Sequence, residues 1–346
     1  MVLTFTTAQQ RDSLVCRFSG YFDFYYGYDF NKPTSAVRLP FLVSHNRHNL
    51  MGLNLAMAGV ELGRKNWRAK AKLQAGSFAD DNYETPTDRK FRFMQEAYAG
   101  FSLNRKNNLW IDIGVFPSHI GYESAIAADN WCAGRSLASE LTPYFLSGAK
   151  IAYRKNSVQF SGLLLNGWNR IFSNNSSPLP SLGTQFNVQL NSNTLLSWNT
   201  MLGNVKYNTA SELRFYNNLF LNWKANEKDQ FIVSFDIGYQ DGSKPISQDK
   251  IWMTSSLVYQ RRLFDRWNAA FRGEYFRDDF EAVTRAVNGV AFNMAGISCN
   301  LDYNFGDGAL LRFEGRVFRS PSPYFQNGTD VLRKNMMLMV SLNKKF

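Results

Sequence analysis

Only three of the 346 residues are histidines, His45, His48 and His119, so proton transfer near neutral pH has few carriers in this chain. His45 and His48 stand three apart, a spacing that two metal ligands can use, but no cysteine or carboxylate cluster accompanies them. Serines and acids are plentiful, yet no nucleophile turn, phosphate-cradling loop or dinucleotide motif is present. The three histidines therefore read as hydrogen-bonded loop residues, and no metal, cofactor or catalytic residue is expected. Of the three cysteines, Cys16 and Cys299 fall on apolar positions of separate segments, and Cys132 sits in a long connection where it could be exposed. Three cysteines do not make a disulfide framework.

The charged residues offer electrostatics instead. Lys and Arg number 39 against 28 Asp and Glu, a net +11. They are scattered, with no run longer than two and no nucleic-acid fold motif, so nucleic acid is not an expected partner. Their spacing is more informative than their number. In 67–75, Arg68, Lys70 and Lys72 alternate with Trp67, Ala69, Ala71 and Leu73. The same period of two recurs in 16–28, 231–239, 297–305 and 311–317. Residues that alternate this way lie on opposite faces of a β-strand.

Sixteen such segments can be marked, from 14–28 to 336–346, including 184–191 and the two, 157–168 and 195–205, where runs of leucine blur the alternation. Links after even-numbered segments are short and turn-like. Links after odd-numbered ones are long (29–49, 78–90, 118–142, 169–183, 241–249, 279–291 and 320–335), except near 206–210. No stretch is long and apolar enough for a membrane-spanning helix. A soluble sandwich would alternate as well, but sixteen strands of 10–14 residues are too many for one packed core and long enough to cross a bilayer at a tilt. Trp67, Trp223 and Trp267 lie on the apolar parity beside short turns, where an interfacial girdle belongs. Aromatics make up 15% of the chain, which reads as a lipid-facing coat. The pattern predicts an all-β, antiparallel up-and-down transmembrane barrel with a water-filled lumen and both termini periplasmic, since exposed backbone cannot face lipid and the sheet must close. Residues 1–12 read as a signal-peptide remnant and 13–346 as one barrel domain.

A block from Leu109 to Glu123, with Asp129-Asn130, Arg135-Ser136, Pro143-Tyr144 and Gly148-Ala149-Lys150, resembles the OmpL-like β-barrel porins of the Bacteroidetes lineage. Matching pieces in 19–26, 45–49, 164–168 and 235–238 extend the resemblance over nearly the whole chain. It implies a bacterial outer-membrane location and a pore, and supplies no substrate. The alternating last strand ending in Phe346 resembles the signal read by the barrel-assembly machinery, which with outer-membrane lipid would be a partner.

Laid out by parity, eleven inward cations oppose seven inward anions, an excess of four. Arg17, Arg68, Lys70, Lys72, Arg312 and Arg316 fall on segments beside the closure seam and form an expected pore-lining basic wall. The 118–142 loop carries His119, Glu123, Asp129, Arg135 and Glu140, and is expected to fold inward as a constriction. A basic wall facing an acidic loop would set a transverse field that orders water and favours polar solutes. The chain thus reads as a passive channel for small hydrophilic solutes with weak anion preference. The alternatives are a non-conducting anchor or subunit of a transport or secretion complex, and, further off, a barrel enzyme. Homo-oligomerisation is open, with no inter-subunit signature in the sequence.

Overall fold

A computed structural model describes residues 13–83, 86–172, 179–207, 210–242, 248–284, 286–287 and 289–346. The segment read as a signal remnant, 1–12, lies outside them. The chain forms β1 (Val15–Asp29), β2 (Leu50–Arg64), β3 (Trp67–Ala75), β4 (Met94–Ser102), β5 (Leu109–Pro117), β6 (Phe145–Lys155), β7 (Val158–Leu165), β8 (Ser181–Asn191) and β9 (Thr194–Tyr207). It continues through β10 (Ala210–Lys224), β11 (Asp229–Gln240), β12 (Lys250–Phe264), β13 (Trp267–Asp278), β14 (Phe292–Gly306), β15 (Ala309–Arg319), β16 (Phe325–Asn327), β17 (Asp330–Leu332) and β18 (Lys334–Lys345). Sixteen of these close a barrel in which each strand pairs with its sequence neighbour and β18 joins β15 to β1. The seam runs antiparallel from Tyr21↔Lys345 to Asp29↔Met337. β16 and β17 form a separate hairpin within the last long link.

The period-two pattern decides which face each residue takes. On β1, Tyr21, Asp23 and Tyr25 are buried inward while Phe18, Phe22 and Phe24 are exposed outward. On β18, Asn335, Met337, Met339, Ser341 and Asn343 point in and Leu338, Val340 and Leu342 point out. The short-turn rim carries packed outward aromatics: Trp223 stacked on Phe231 at 5.4 Å, Phe231 stacked on Tyr259 at 4.9 Å, and Trp267 tilted against Tyr303 at 4.9 Å. Such rings suit the headgroup level, being apolar with a polar edge. No helix among the described residues is long and apolar enough to cross a membrane. The strands do the spanning.

Two details depart from the sequence pattern. β8 begins at Ser181, three residues earlier than the alternation suggests. The β1–β2 register shifts at Asp23/Phe24, so that Asn54 and Leu55 are both buried in place of one of them. The extra residue of that bulge brings the Asn54 amide to Asp23 Oδ2 at 2.8 Å.

The lumen differs more. Near the long-loop rim the inward residues are apolar: Met201, Tyr216, Trp252, Phe276, Phe318 and Met337. They bury against Leu39, Phe41, Leu42, Ile120, Leu137, Tyr324 and Phe325 from the connecting loops. The aromatic content is therefore not only a lipid-facing coat, because part of it packs a core inside the barrel mouth. The lumen is not uniformly lined by polar groups. The long links also carry short elements, α1 (Ser77–Asn82), α2 (Pro86–Arg89) and α3 (Leu137–Glu140), with a 3-10 turn at Ala127–Asp129.

Candidate pore constriction

The connection between β5 and β6 crosses the lumen and is hydrogen-bonded to strands on its far side. His119 Nε2 lies 2.8 Å from the Thr200 carbonyl oxygen on β9, and Gln185 on β8 donates to the His119 carbonyl at 3.0 Å. Gly121 N donates to Asn218 Oδ1 on β10 at 3.1 Å, and the Tyr122 and Ser256 hydroxyls are 2.9 Å apart. Further along, Ala133 N reaches Asn300 Oδ1 at 3.0 Å, Gly134 N reaches Glu314 Oε2 at 2.5 Å, and Leu137 N reaches Glu274 Oε2 at 2.7 Å. In return Arg272, Arg312 and Arg316 donate to loop carbonyls at Gly134, Ala127 and Arg135, at 2.7, 2.6 and 2.9 Å. Wall carboxylates thus take loop N–H groups and wall guanidiniums take loop carbonyls. Charge-assisted hydrogen bonds of this kind are about twice as strong as neutral ones.

The anchoring strands are built for this. Arg272 and Glu274 on β13 and Glu314 and Arg316 on β15 reach one another across β14: Arg272 lies 3.2 Å from Glu314, and Arg316 lies 2.5 Å from Glu274. The β14 residues beneath them are small. A Cβ on Gly296 would meet Glu274 Cγ at 2.8 Å, and Ser298 Oγ accepts from Arg272 at 3.0 Å.

The expected eyelet geometry needs correction. Arg312 and Arg316 do not face an acidic loop across water: they are buried at 0% and 4% exposure, beneath the loop, with Asp302 and Glu274 as their ion-pair partners. Glu123 turns to Ser136 N and Oγ, both at 2.7 Å, and to Arg272 at 3.3 Å. Asp129 pairs with Lys345 at the end of β18. Glu140 accepts from Val43 N at 2.8 Å and from Ser44 N, tying the first long loop to this one. The Arg135 guanidinium lies over the Phe78 ring at 5.5 Å and has no ion-pair partner among the described residues. Cys132 is buried, not exposed, and burial pushes its thiol up to about 12.

The rest of the basic wall stays more open. Arg68 pairs with Asp112 at 2.7 Å, Lys72 with Glu96 at 2.7 Å, and Lys70 with Glu61 and Glu96, both at 3.4 Å. Arg17 is exposed. Arg68 keeps 39% of its side chain accessible, Lys150 25% and Lys70 21%. The predicted excess of four charges is lowered by Glu61, an inward acid hidden in the sequence because both faces of β2 are largely apolar. The anchoring roles of Arg272, Glu274, Asn218 and Asn300 were also missed. Their visible trace is the pair of same-face motifs, Arg272-x-Glu274 and Glu314-x-Arg316. His45 and His48 both serve as hydrogen-bonding groups, His45 to Asp23 at 2.9 Å and His48 to Asp29 N at 3.1 Å. The described residues hold no group of three or more side chains suited to a metal.

A family model described as "Putative beta-barrel porin-2, OmpL-like" matches residues 16–346. The chain belongs to this porin family. As an OmpL-like porin it is a protein of the bacterial outer membrane. No curated protein matches it in sequence. Among solved structures it is similar to the anion-selective porin from Comamonas acidovorans, with 9% identity, 96% of this chain and 100% of that one covered, and a TM-score of 0.64. It is similar to the outer membrane channel DcaP of Acinetobacter baumannii, with 10% identity, 96% and 98% coverage and a TM-score of 0.64. Outer-membrane expressed OmpT of Vibrio cholerae gives 11% identity, 98% and 99% coverage and the same TM-score, 0.64. At such identities the OmpL-like porin shares a fold with these proteins, and the likeness carries no solute across.

Proposed function

We propose that this outer-membrane porin is a passive, non-enzymatic diffusion channel for small hydrophilic solutes with weak anion preference, from a Bacteroidetes-type outer membrane. The short-turn rim and both termini face the periplasm in this reading. Outer-membrane lipid bathes the apolar coat, and the assembly machinery reads the strand that ends in Phe346. The observation that carries the proposal is the asymmetry of the lumen. The 118–142 loop is bonded mainly to β8–β15 and also touches Tyr21 on β1 and Lys345 on β18, while Arg17, Arg68, Lys70 and Lys150 keep accessible charge on β1, β3 and β6. The open path would then run past these cations, not through a gap between the loop and Arg312 or Arg316. Exposed cations beside a low-dielectric loop raise the local anion concentration. The anchor or complex-subunit reading is not favoured, since an anchor has no use for this lining.

Planar-bilayer recordings test the proposal. Ohmic single-channel steps are expected, with a reversal potential in a KCl gradient displaced toward chloride. In R68Q/K70Q that displacement should shrink or invert. A folded barrel that gives no steps would sink the channel reading, and an unchanged reversal potential would remove these cations from the selectivity argument.

A further inference from the structure

The short-turn rim divides into two sectors by charge. Three consecutive turns, joining β2 to β3, β4 to β5 and β6 to β7, carry the same tripeptide: Arg64-Lys65-Asn66, Arg105-Lys106-Asn107 and Arg154-Lys155-Asn156. No Asp or Glu occurs within 62–68, 101–109 or 153–158. The nearby acid Glu61 lies on the lumen side, with Lys70. Asparagine serves the turn itself, since Asn107 and Asn156 hold left-handed backbone at φ 53° and 51°. The turn has no need of the two cations before it. Lys65, Arg105, Lys106 and Lys155 are exposed, and none has an ion-pair partner among the described residues. A fourth copy, Arg333-Lys334-Asn335, stands at the other rim, where Asn335 is buried and donates to Asp29 Oδ1 at 2.7 Å. On β10–β18 the short-turn rim supplies acids: Lys224 pairs with Glu227 at 2.9 Å, Arg261 with Asp229 at 3.0 Å, and Lys345 with Asp129.

The unpaired sector borders the lipid-facing surface. Arg64 pairs in register with Trp67, and Trp67 with Phe101, so Arg64 shares their outward face. Lys155 is two residues past Tyr153, which pairs with Phe160 on the same face. Phe101, Tyr153 and Phe160 are exposed. The strands from β2 to β7 are contiguous. At about 4.8 Å per strand, Arg64, Lys65, Arg105, Lys106 and Lys155 therefore spread over roughly 25 Å of rim. Outward aromatic rings lie at headgroup level, and a basic side chain beside them keeps its stem in the apolar layer while its charge reaches the phosphates.

We propose that this sector of the short-turn rim binds the headgroups of anionic glycerophospholipids. Charge decides the class, because a zwitterionic headgroup brings no net counter-charge to a sector that holds cations and no acid. The arginine fork takes two phosphate oxygens at once, and the lysines act as point charges. The occupant is lipid, since Arg64 and Lys155 continue the outward rows of the barrel surface itself. The proposal rests on the membrane placement above, and on neither conduction nor the sidedness of the rim.

Local quenching tests it. In a C16S/C299S background, a fluorophore is attached at L103C, on the exposed outward face of the sector, or at F305C, beside Asp307 on the far side of the barrel. Each protein is reconstituted in phosphatidylcholine vesicles containing a minor fraction of brominated phosphatidylglycerol or of brominated phosphatidylcholine. At position 103 the phosphatidylglycerol should quench as if enriched about fivefold, the effect of one cation near an anionic headgroup, and high salt should reduce the preference. At position 305 the two lipids should quench alike. K65Q/R105Q/K106Q/K155Q, confirmed folded by heat-modifiable migration, should lose the preference at 103. Equal quenching at 103 with the cations intact would overturn the proposal. So would a preference that the fourfold variant retains, or one that is as large at 305.

Discussion

His119 donates its Nε2 hydrogen to the Thr200 carbonyl 2.8 Å away, and burial among loop and wall holds its pKa down to about 4 from the usual 6.5. The docked ring is therefore neutral, and a loop released from the wall takes up a proton more readily as the pH falls. Docking strength is complete above about pH 6.5 and is lost as the pH drops toward 4, by up to about 3 kcal/mol for the shift involved. Hydrogen exchange of the Gly121 amide, bonded to Asn218, reads the docking. Relative to H119Q, whose amide can donate to Thr200 without titrating, wild-type protection should fall across that window. Parallel pH profiles in the two proteins would detach His119 from the loop's hold. At this scale the sequence carried the identity of the loop residues but not their partners. Parity puts Arg312 and Arg316 inside the barrel, and only the folded loop shows that they lie beneath it rather than beside open water.

Among the elements, the strands were legible because the bilayer enforces one rule on every residue: out is apolar, in is mostly not. β2 obscured it, since Leu55 and Met57 inside and Ala56 and Ala58 outside have the same character, and the bulge at Asn54 breaks parity as well. The β16–β17 hairpin and helices α1–α3 were invisible for another reason. They are too short to carry a period, and their stability comes from packing against other loops. The loop between β5 and β6 behaves as one element whose attachment is concentrated at Arg272, which holds the Gly134 carbonyl and pairs with Glu123 and Glu314. Removing one member of such a buried network leaves the others uncompensated, at a cost of about 3–5 kcal/mol. R272A should therefore speed exchange of the Gly134 and Leu137 amides by more than a hundredfold while exchange in the β10–β11 pairing is unchanged. Equal acceleration in both places would mean that Arg272 supports the barrel and not the loop.

At the level of the whole molecule, the closed ring and the material inside it are separable. Every barrel strand satisfies its backbone against two neighbours, and that ladder does not pass through the loops. The loop supplies filling: Ile120 and Leu137 enter the apolar core of the mouth, and its carbonyls cap Arg272, Arg312 and Arg316. Without it, lumen water can hydrate those guanidiniums, so the barrel should survive the loss. The chain also brings the two ends of this segment together, since a Cβ on Gly121 would stand 3.9 Å from Ser139 Oγ. Excising 122–138 and joining 121 to 139 therefore needs little rearrangement of the flanking backbone. The shortened protein should keep heat-modifiable migration, unfold at lower temperature because the inward aromatics lose their cover, and pass several times more current per channel. If it folds and conducts like the wild type, the narrowest part of the path is set elsewhere, by Leu39, Phe41 and Leu42 of the first long loop, and replacing those three with serine should then widen it instead.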